Sequence, residues 1–510
     1  MSPAPPAGGD GLRGRKAPLV LDGQEFARIG HELVDRVARL LDGMPDGRLT
    51  SGETPEEIRA VLRADAPLPE EGTDAGAVLS EATDLLFEHS LFNGHPRFFG
   101  YITAAPGPIG MLGDLLAAAV NPNTGGWALS PMASEIEGQA VRWIAQLVGF
   151  PQPCDGLMVS GGNVANILGF WAGRAAKAGW NVRETGLQGE GSTRLRAYAS
   201  KQTHTWIHKA ADLSGLGAEG VRWIETDARQ RMRVDVLRAR IEEDLAAGER
   251  PFLVVGTAGS VSTGAVDPLP ELRALCDEKD LWLHVDGAYG GFAAAAPDMV
   301  PEDLLGLRLA DSLAMDPHKW LYAPLEVGCT LVRDPMALLA AFSYRPEYYN
   351  FQDEATNYFE HGIQNSRGFR ALKVWLQLRH VGRSGYARMI ADDIELARRF
   401  HALAEAHPEL EAVTCALSIS TYRYVPTDLA ARTGEAPVAA YLDELNEALQ
   451  NRMEKSGRAF VSNAVVDGHY LLRMCVVNFR TRLEDVEELA ELSVQLGREL
   501  DPGLRPPSLR

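Results

Sequence analysis

The sequence predicts an α/β protein, a mostly parallel sheet flanked by helices, with a helical segment before it and a smaller α+β region after it. Three observations carry this. Apolar runs at 156–159, 251–255 and 281–285 are short, β-rich and bounded by turn residues. Helical stretches at 163–177 and 269–279 lie between runs of this kind, and strand–helix–strand succession builds a parallel sheet covered on both faces. Beyond about residue 376 the order changes to a helix, alternating strand candidates and a closing helix.

Taken in order, residues 1–18 are rich in Pro, Gly and Arg without an apolar stretch, and so read as a disordered tail, not a signal peptide. Phe26, Ile29, Leu33, Val37, Leu40 and Leu41 fall three or four apart and predict a helix over 24–43. Thr54-Pro-Glu-Glu offers a cap, a first-turn proline and N-terminal acids for a second, short helix. A polar, proline-containing linker follows at 64–74. This helical segment, 19–105, is too thin to fold alone and is expected to pack on another surface such as a partner subunit.

The large domain is expected at 106–375. Ile136, Ala140, Trp143, Ile144 and Leu147 make a helical stripe, and the strand Gly156–Val159 breaks at Ser160-Gly161-Gly162 before a helix from Asn163. The small domain is expected at 376–500, with a helix over Ala387–Ala406 and strands at 417–424 and 469–479. A capping box Thr481-x-x-Glu484 precedes the stripe Leu483, Val486, Leu489, Leu492 and Leu496. Residues 501–510 read as a tail.

Composition narrows the function. The 510 residues carry 50 Lys+Arg against 69 Asp+Glu, a net charge of −19, which argues against a nucleic-acid partner. The five cysteines are scattered without a C-x-x-C pair, so neither a disulfide framework nor a metal site is expected, and reduced thiols fit a cytoplasmic protein. The uncharged stretches near 98–113 and 251–266 are broken by Gly, Pro and Ser, which argues against membrane helices.

Two residues stand out chemically. Asp286 follows an apolar strand in HVDGAYGG (284–291), where a carboxylate points at the pocket beyond the strand ends. Lys319, between His318 and Trp320, lies in a segment poor in charge. Pyridoxal phosphate needs a lysine to condense with its aldehyde and an acid to hold its ring nitrogen protonated, so that the ring can take up an electron pair. It also needs an anion cradle, and the strand–Ser-Gly-Gly-Asn–helix junction at 160–163 supplies backbone N–H groups at a helix N-terminus. Gly215-x-Gly-x-x-Gly220 matches a dinucleotide fingerprint. However, it follows a helical segment and precedes a strand, the reverse of the context that motif requires.

The runs HPRFFGY (95–101), SPMASEIE (130–137), SGGNVAN (160–166), HVDGAYGG (284–291) and DPHKW (316–320) resemble the group II pyridoxal phosphate-dependent decarboxylases, among them the aromatic-L-amino-acid and glutamate decarboxylases. The resemblance implies a fold-type I homodimer and a reaction releasing carbon dioxide from an L-amino acid, aromatic or related, to give the amine. It implies that Lys319 bonds the cofactor, Asp286 pairs with its ring nitrogen, and His204 stacks on its ring. Gly162 and Asn163 match the phosphate loop, Ser260 and His318 the surroundings of the phosphate, and Ala288 a residue packed on the ring. Tyr348, aligned on Pro346, matches the loop tyrosine that protonates the substrate carbon, with Tyr349 one residue on. Relatives with Phe there form aldehydes by oxidative decarboxylation–deamination, the alternative reaction. Tyr101, Asn123, Trp127 and Arg367 are the substrate-side candidates.

The chain also departs from the pattern. Asn163-Val164 replaces a Ser-Glu pair, Asp316 stands where many relatives carry Asn, and Val261 replaces a hydroxyl residue. Asn123-Thr-Gly-Gly-Trp127 replaces bulky apolar side chains, which widens the expected pocket and leaves an acidic amino acid open as substrate.

Overall fold

The computed structural model describes residues 15, 17–344 and 355–510, and these form two compact units that meet in sequence between Leu91 and Phe92. The first unit holds the helices Gly23–Gly43, Pro55–Leu62 and Ala75–His89. Asp22 caps the first helix by accepting from the N–H groups of Gln24 and Glu25. Thr54 and Glu57 close a reciprocal capping box on the second, as the Thr-Pro-Glu-Glu motif requires. Arg36 reaches from the first helix to Ser80 and Asp84 on the third.

The second unit contains two sheets. Its strands are β1 (Phe98–Phe99), β2 (Asp155–Val159), β3 (Leu195–Ser200), β4 (Val221–Ile224), β5 (Arg250–Thr257), β6 (Trp282–Asp286), β7 (Ser312–Met315), β8 (Gly328–Val332), β9 (Leu410–Ala416), β10 (Ile419–Tyr424), β11 (Phe460–Val466) and β12 (His469–Cys475). The large sheet has the order β2-β8-β7-β6-β5-β3-β4, and β8 alone runs against its neighbours. Every residue of β3, β6 and β7 is buried, because helices cover both faces; this is why these strands read as apolar runs without alternation. This is the fold-type I architecture.

The small sheet has the order β1-β11-β12-β10-β9, with β1 parallel to β11 and the rest antiparallel. Through β1, residues 98–99 join this sheet, although 19–105 is expected to be a separate helical segment. Three further expectations are corrected. The helix expected from Ala387 spans Ala371–Ala406, with non-helical geometry at Gly382. Its first part buries Lys373 and Gln377, and these polar residues mask the apolar stripe. The closing helix, Leu483–Leu504, is preceded by Arg482, whose N–H donates to Asp485 Oδ2 at 2.9 Å. Thr481 does not cap it, because its hydroxyl donates to the Pro96 carbonyl at 2.7 Å. Residues 501–510 do not trail away: the helix continues to Leu504, and Leu509 is buried in the core of the small sheet.

No helix among the described residues is long and apolar enough to cross a membrane. The segment 215–220 lies between the helix Trp206–Leu213 and β4, so its glycines do not form a strand-to-helix turn.

Candidate active site

A cavity of about 320 Å³ lies at the carboxyl ends of β2, β3, β5, β6 and β7, where ligands of open α/β sheets collect. Beyond β2 the chain turns at Ser160-Gly161, and a sixteen-residue helix begins at Gly162. Gly161 has φ +127°, which a side chain would resist. A Cβ on Gly162 would stand 2.5 Å from Asp316 Oδ2 and 3.1 Å from the Ala288 Cβ. No side chain caps this helix, so the backbone N–H groups of its first turn are available to an anion.

Asp286 ends β6, paired in register with Thr257 of β5 and Ala314 of β7. Its Oδ1 accepts the Ala288 N–H at 3.1 Å, and its Oδ2 accepts the Trp206 indole N–H at 2.7 Å. Lys319 arrives from β7 on the single turn Pro317–Trp320, its Nζ 3.1 Å from Asp316 Oδ2. His318 lies beside it, its Nε2 3.6 Å from the same oxygen and its Nδ1 2.7 Å from the Val327 carbonyl. Asp316 Oδ1 is buried without a partner. Beyond β3, His204 enters the cavity, with its Nδ1 accepting the Trp206 backbone N–H at 3.3 Å. Burial pushes the imidazoles of His204 and His318 below their ordinary range, against the opposing pull of Asp286 on the first and Asp316 on the second.

The structure thus brings Gly162, Asn163, His204, Asp286, Ala288, His318 and Lys319 to one cavity. Ser260 is buried between two cavity-lining neighbours, Gly259 and Val261, but its hydroxyl stays in its own loop, 2.9 Å from Thr263 Oγ1. The substrate-side candidates lie elsewhere. Tyr101 is largely exposed and donates its backbone N–H to Ser462. Asn123 Oδ1 accepts the N–H groups of Gly125 and Arg367, and the Trp127 indole donates to Glu135 at 2.9 Å. The Arg367 guanidinium is buried, bonded to Glu137 and to the carbonyls of Thr124 and Met158. Tyr348 and Tyr349 fall outside the described residues.

An anion cradle, a lysine and a strand-end acid around one cavity are what pyridoxal phosphate requires, and the uncapped helix start at Gly162 and Asn163 lines that cavity. A sequence profile described as the pyridoxal-dependent decarboxylase conserved domain matches residues 55–420. The chain belongs to this family. It is a pyridoxal phosphate-dependent carboxy-lyase of the group II decarboxylases. It is 32% identical over 482 residues to the aromatic-L-amino-acid decarboxylase of Bacillus atrophaeus, covering 92% of this chain and 95% of that one. It is 29% identical to the phenylacetaldehyde synthase of Petunia hybrida over 471 residues, 90% of this chain and 92% of that one. The crystal structure of Oryza sativa TDC with PLP and tryptamine superposes with a TM-score of 0.87 at 27% identity, covering 95% of this chain and all of that one.

Sequence reasoning passed over three residues in or behind the wall of this candidate site. Trp206 bonds Asp286, whereas His284 and Asn166 form a chain behind the cradle. His284 Nδ1 lies 2.7 Å from Ser312 Oγ, its Nε2 2.8 Å from Asn166 Oδ1, and Asn166 Nδ2 donates to the Gly162 carbonyl at 2.8 Å. Burial pushes His284 down to about 4, so it ties the first turn of the helix to β6 as a neutral ring. The available signal was spacing: His284 shares a strand face with Asp286, and Trp206 follows His204 by two residues.

Proposed function

We propose that this enzyme decarboxylates an L-amino acid, aromatic or related, to the amine. The observation that carries the reading is the convergence of Lys319, Asp286 and the Gly162 cradle on one cavity, in a chain whose relatives include an aromatic-L-amino-acid decarboxylase. The bound cofactor supplies an electron sink for the pair released when the carboxylate departs. Asp286 holds the proton at the ring nitrogen, and the first turn from Gly162 and Asn163 holds the phosphate. Lys319, which lines the cavity, would be the amine that holds the cofactor's aldehyde and would give way to the substrate amine. His204, whose charged form burial disfavours, would pack on the ring and orient the substrate, and Tyr348 would return a proton to the substrate carbon.

The working form is a homodimer. Leu112, Leu115, Leu116 and Val120 on the helix Pro108–Val120 are each more than half exposed, an apolar stripe that a second copy would cover. A second reading, oxidative conversion to an aldehyde, draws on the phenylacetaldehyde synthase relative, and Tyr348 weighs against it.

The test is to incubate the holoenzyme with an amino-acid panel while recording carbon dioxide, amine, aldehyde and peroxide. Amine and carbon dioxide without peroxide are expected, and aldehyde with peroxide would overturn the assignment. Lys319→Ala should abolish both turnover and the visible absorption that borohydride bleaches in the parent.

A further inference from the structure

The segment that carries His204 into the cavity also carries a second group aimed at the acid. Trp206 is fully buried, and its indole is held edge-on between Phe170, at 6.3 Å and 79°, and His284, at 5.5 Å and 82°. Packing on both sides prevents the ring from swinging away. It presents two donors in two directions: its indole N–H to Asp286 Oδ2 at 2.7 Å and its backbone N–H to His204 Nδ1 at 3.3 Å.

A carboxylate at the end of a strand can rotate about its terminal bond, and its accepting directions rotate with it. Here the rotation is fixed. Oδ1 is held by the Ala288 N–H and Oδ2 by the indole, so the remaining lone pairs of Asp286 have defined directions. A hydrogen bond to a charged acceptor from a donor immobilised in the core is among the stronger ones a protein can make. The same residue sets the imidazole of His204 through its backbone.

We propose that Trp206 is a positioning residue for the cofactor ring: its indole N–H fixes the Asp286 carboxylate in the orientation that would accept a hydrogen bond from the protonated ring nitrogen. The inference rests on the role given above to Asp286. Trp206 acts through that acid, and a core tryptophan with no such role would contribute to stability alone.

The test compares Trp206→Phe, Asp286→Asn and the double variant, reading the pyridoxal phosphate dissociation constant and the intensity of the visible band of the lysine-bound cofactor at fixed pH. Trp206→Phe should weaken cofactor binding about tenfold and reduce the visible band, in line with the loss of one charge-assisted hydrogen bond. Asp286→Asn should do more, and adding Trp206→Phe to it should change the constant less than about twofold, since the acid through which the indole acts is gone. Should the phenylalanine variant not fold, site-specific replacement of Trp206 by benzothienylalanine keeps the bicyclic shape, lacks the N–H, and should give the same tenfold loss. If Asp286→Asn weakens binding while neither Trp206 replacement does, or if Trp206→Phe costs as much when combined with Asp286→Asn as it does alone, the positioning role is refuted. If Asp286→Asn itself leaves both readouts unchanged, the role of the acid fails, and this inference with it.

Discussion

Replacing Asp316 by Asn removes one negative charge from the cavity wall and leaves its shape intact. The carboxylate is 2% exposed, its Oδ2 pairs with Lys319 Nζ at 3.1 Å, and its Oδ1 has no partner. It also stands against the cradle, since a Cβ on Gly162 would come within 2.5 Å of Oδ2. At an effective dielectric near 20 the ion pair is worth roughly 5 kcal/mol gross. Desolvation of the buried acid cancels most of that, which leaves about 1–2 kcal/mol net. On the roles proposed above for Lys319 and the Gly162 turn, cofactor binding would break this pair to release Lys319 and would bring a phosphate to the turn that Asp316 flanks. Both effects oppose binding, and Asp316→Asn relieves both. The variant should therefore bind pyridoxal phosphate about tenfold more tightly, equivalent to roughly 1.4 kcal/mol. Absorbance titration of cofactor-stripped protein at constant ionic strength measures it. Equal or weaker binding by the variant would show that the acid assists the cofactor, and the charge argument would be wrong.

Arg367→Ala should destabilise the protein by about 3–5 kcal/mol in denaturant unfolding, because Glu137 is fully buried and would lose its cation; near-parental stability with a raised KM would instead make Arg367 a substrate contact. Gly169→Ala places a methyl group 2.5 Å from the His284 ring and 3.0 Å from Ser312 Oγ, so unfolding should show a loss of about 1–3 kcal/mol. Burial pushes Asp393 up to about 7, although Trp320 and Tyr322 donate to it. A raised carboxyl pKa contributes stability that is full below the unfolded value near 3.8 and is lost as pH rises towards 7. Asp393→Asn, which mimics the protonated acid, should match the parent near pH 4 and exceed it by about 2–4 kcal/mol at pH 8. Parallel stability–pH curves for the two proteins would refute that reading.

The parts of this molecule that were legible in the sequence are those whose cause is local. The β6 run is apolar because helices cover both faces of its sheet, so Trp282–Asp286 identifies itself as a strand and Asp286 as its end. The turn at 160–163 announces the start of a helix by its glycines, and the Thr54 capping box is a four-residue device. Where a neighbour distant in sequence intervenes, local reading fails. Thr481 looks like a helix cap until the Pro96 carbonyl takes its hydroxyl. Arg367, a substrate-side candidate only by resemblance, has a guanidinium bonded to Glu137, 230 residues away, a pairing that no local pattern displays. Trp206 looks like one more core aromatic, because the acid it bonds lies 80 residues further along the chain.

The sequence alone therefore determined the fold class, the family resemblance and the residues proposed to hold a phosphate, an aldehyde and a ring nitrogen, since strand, turn and helix-end chemistry is written in neighbouring residues. Only the tertiary structure decided which side chains share the cavity and which are committed to one another, because a hydrogen bond or ion pair between distant residues exists only once the chain has folded to bring the two groups within about 3 Å.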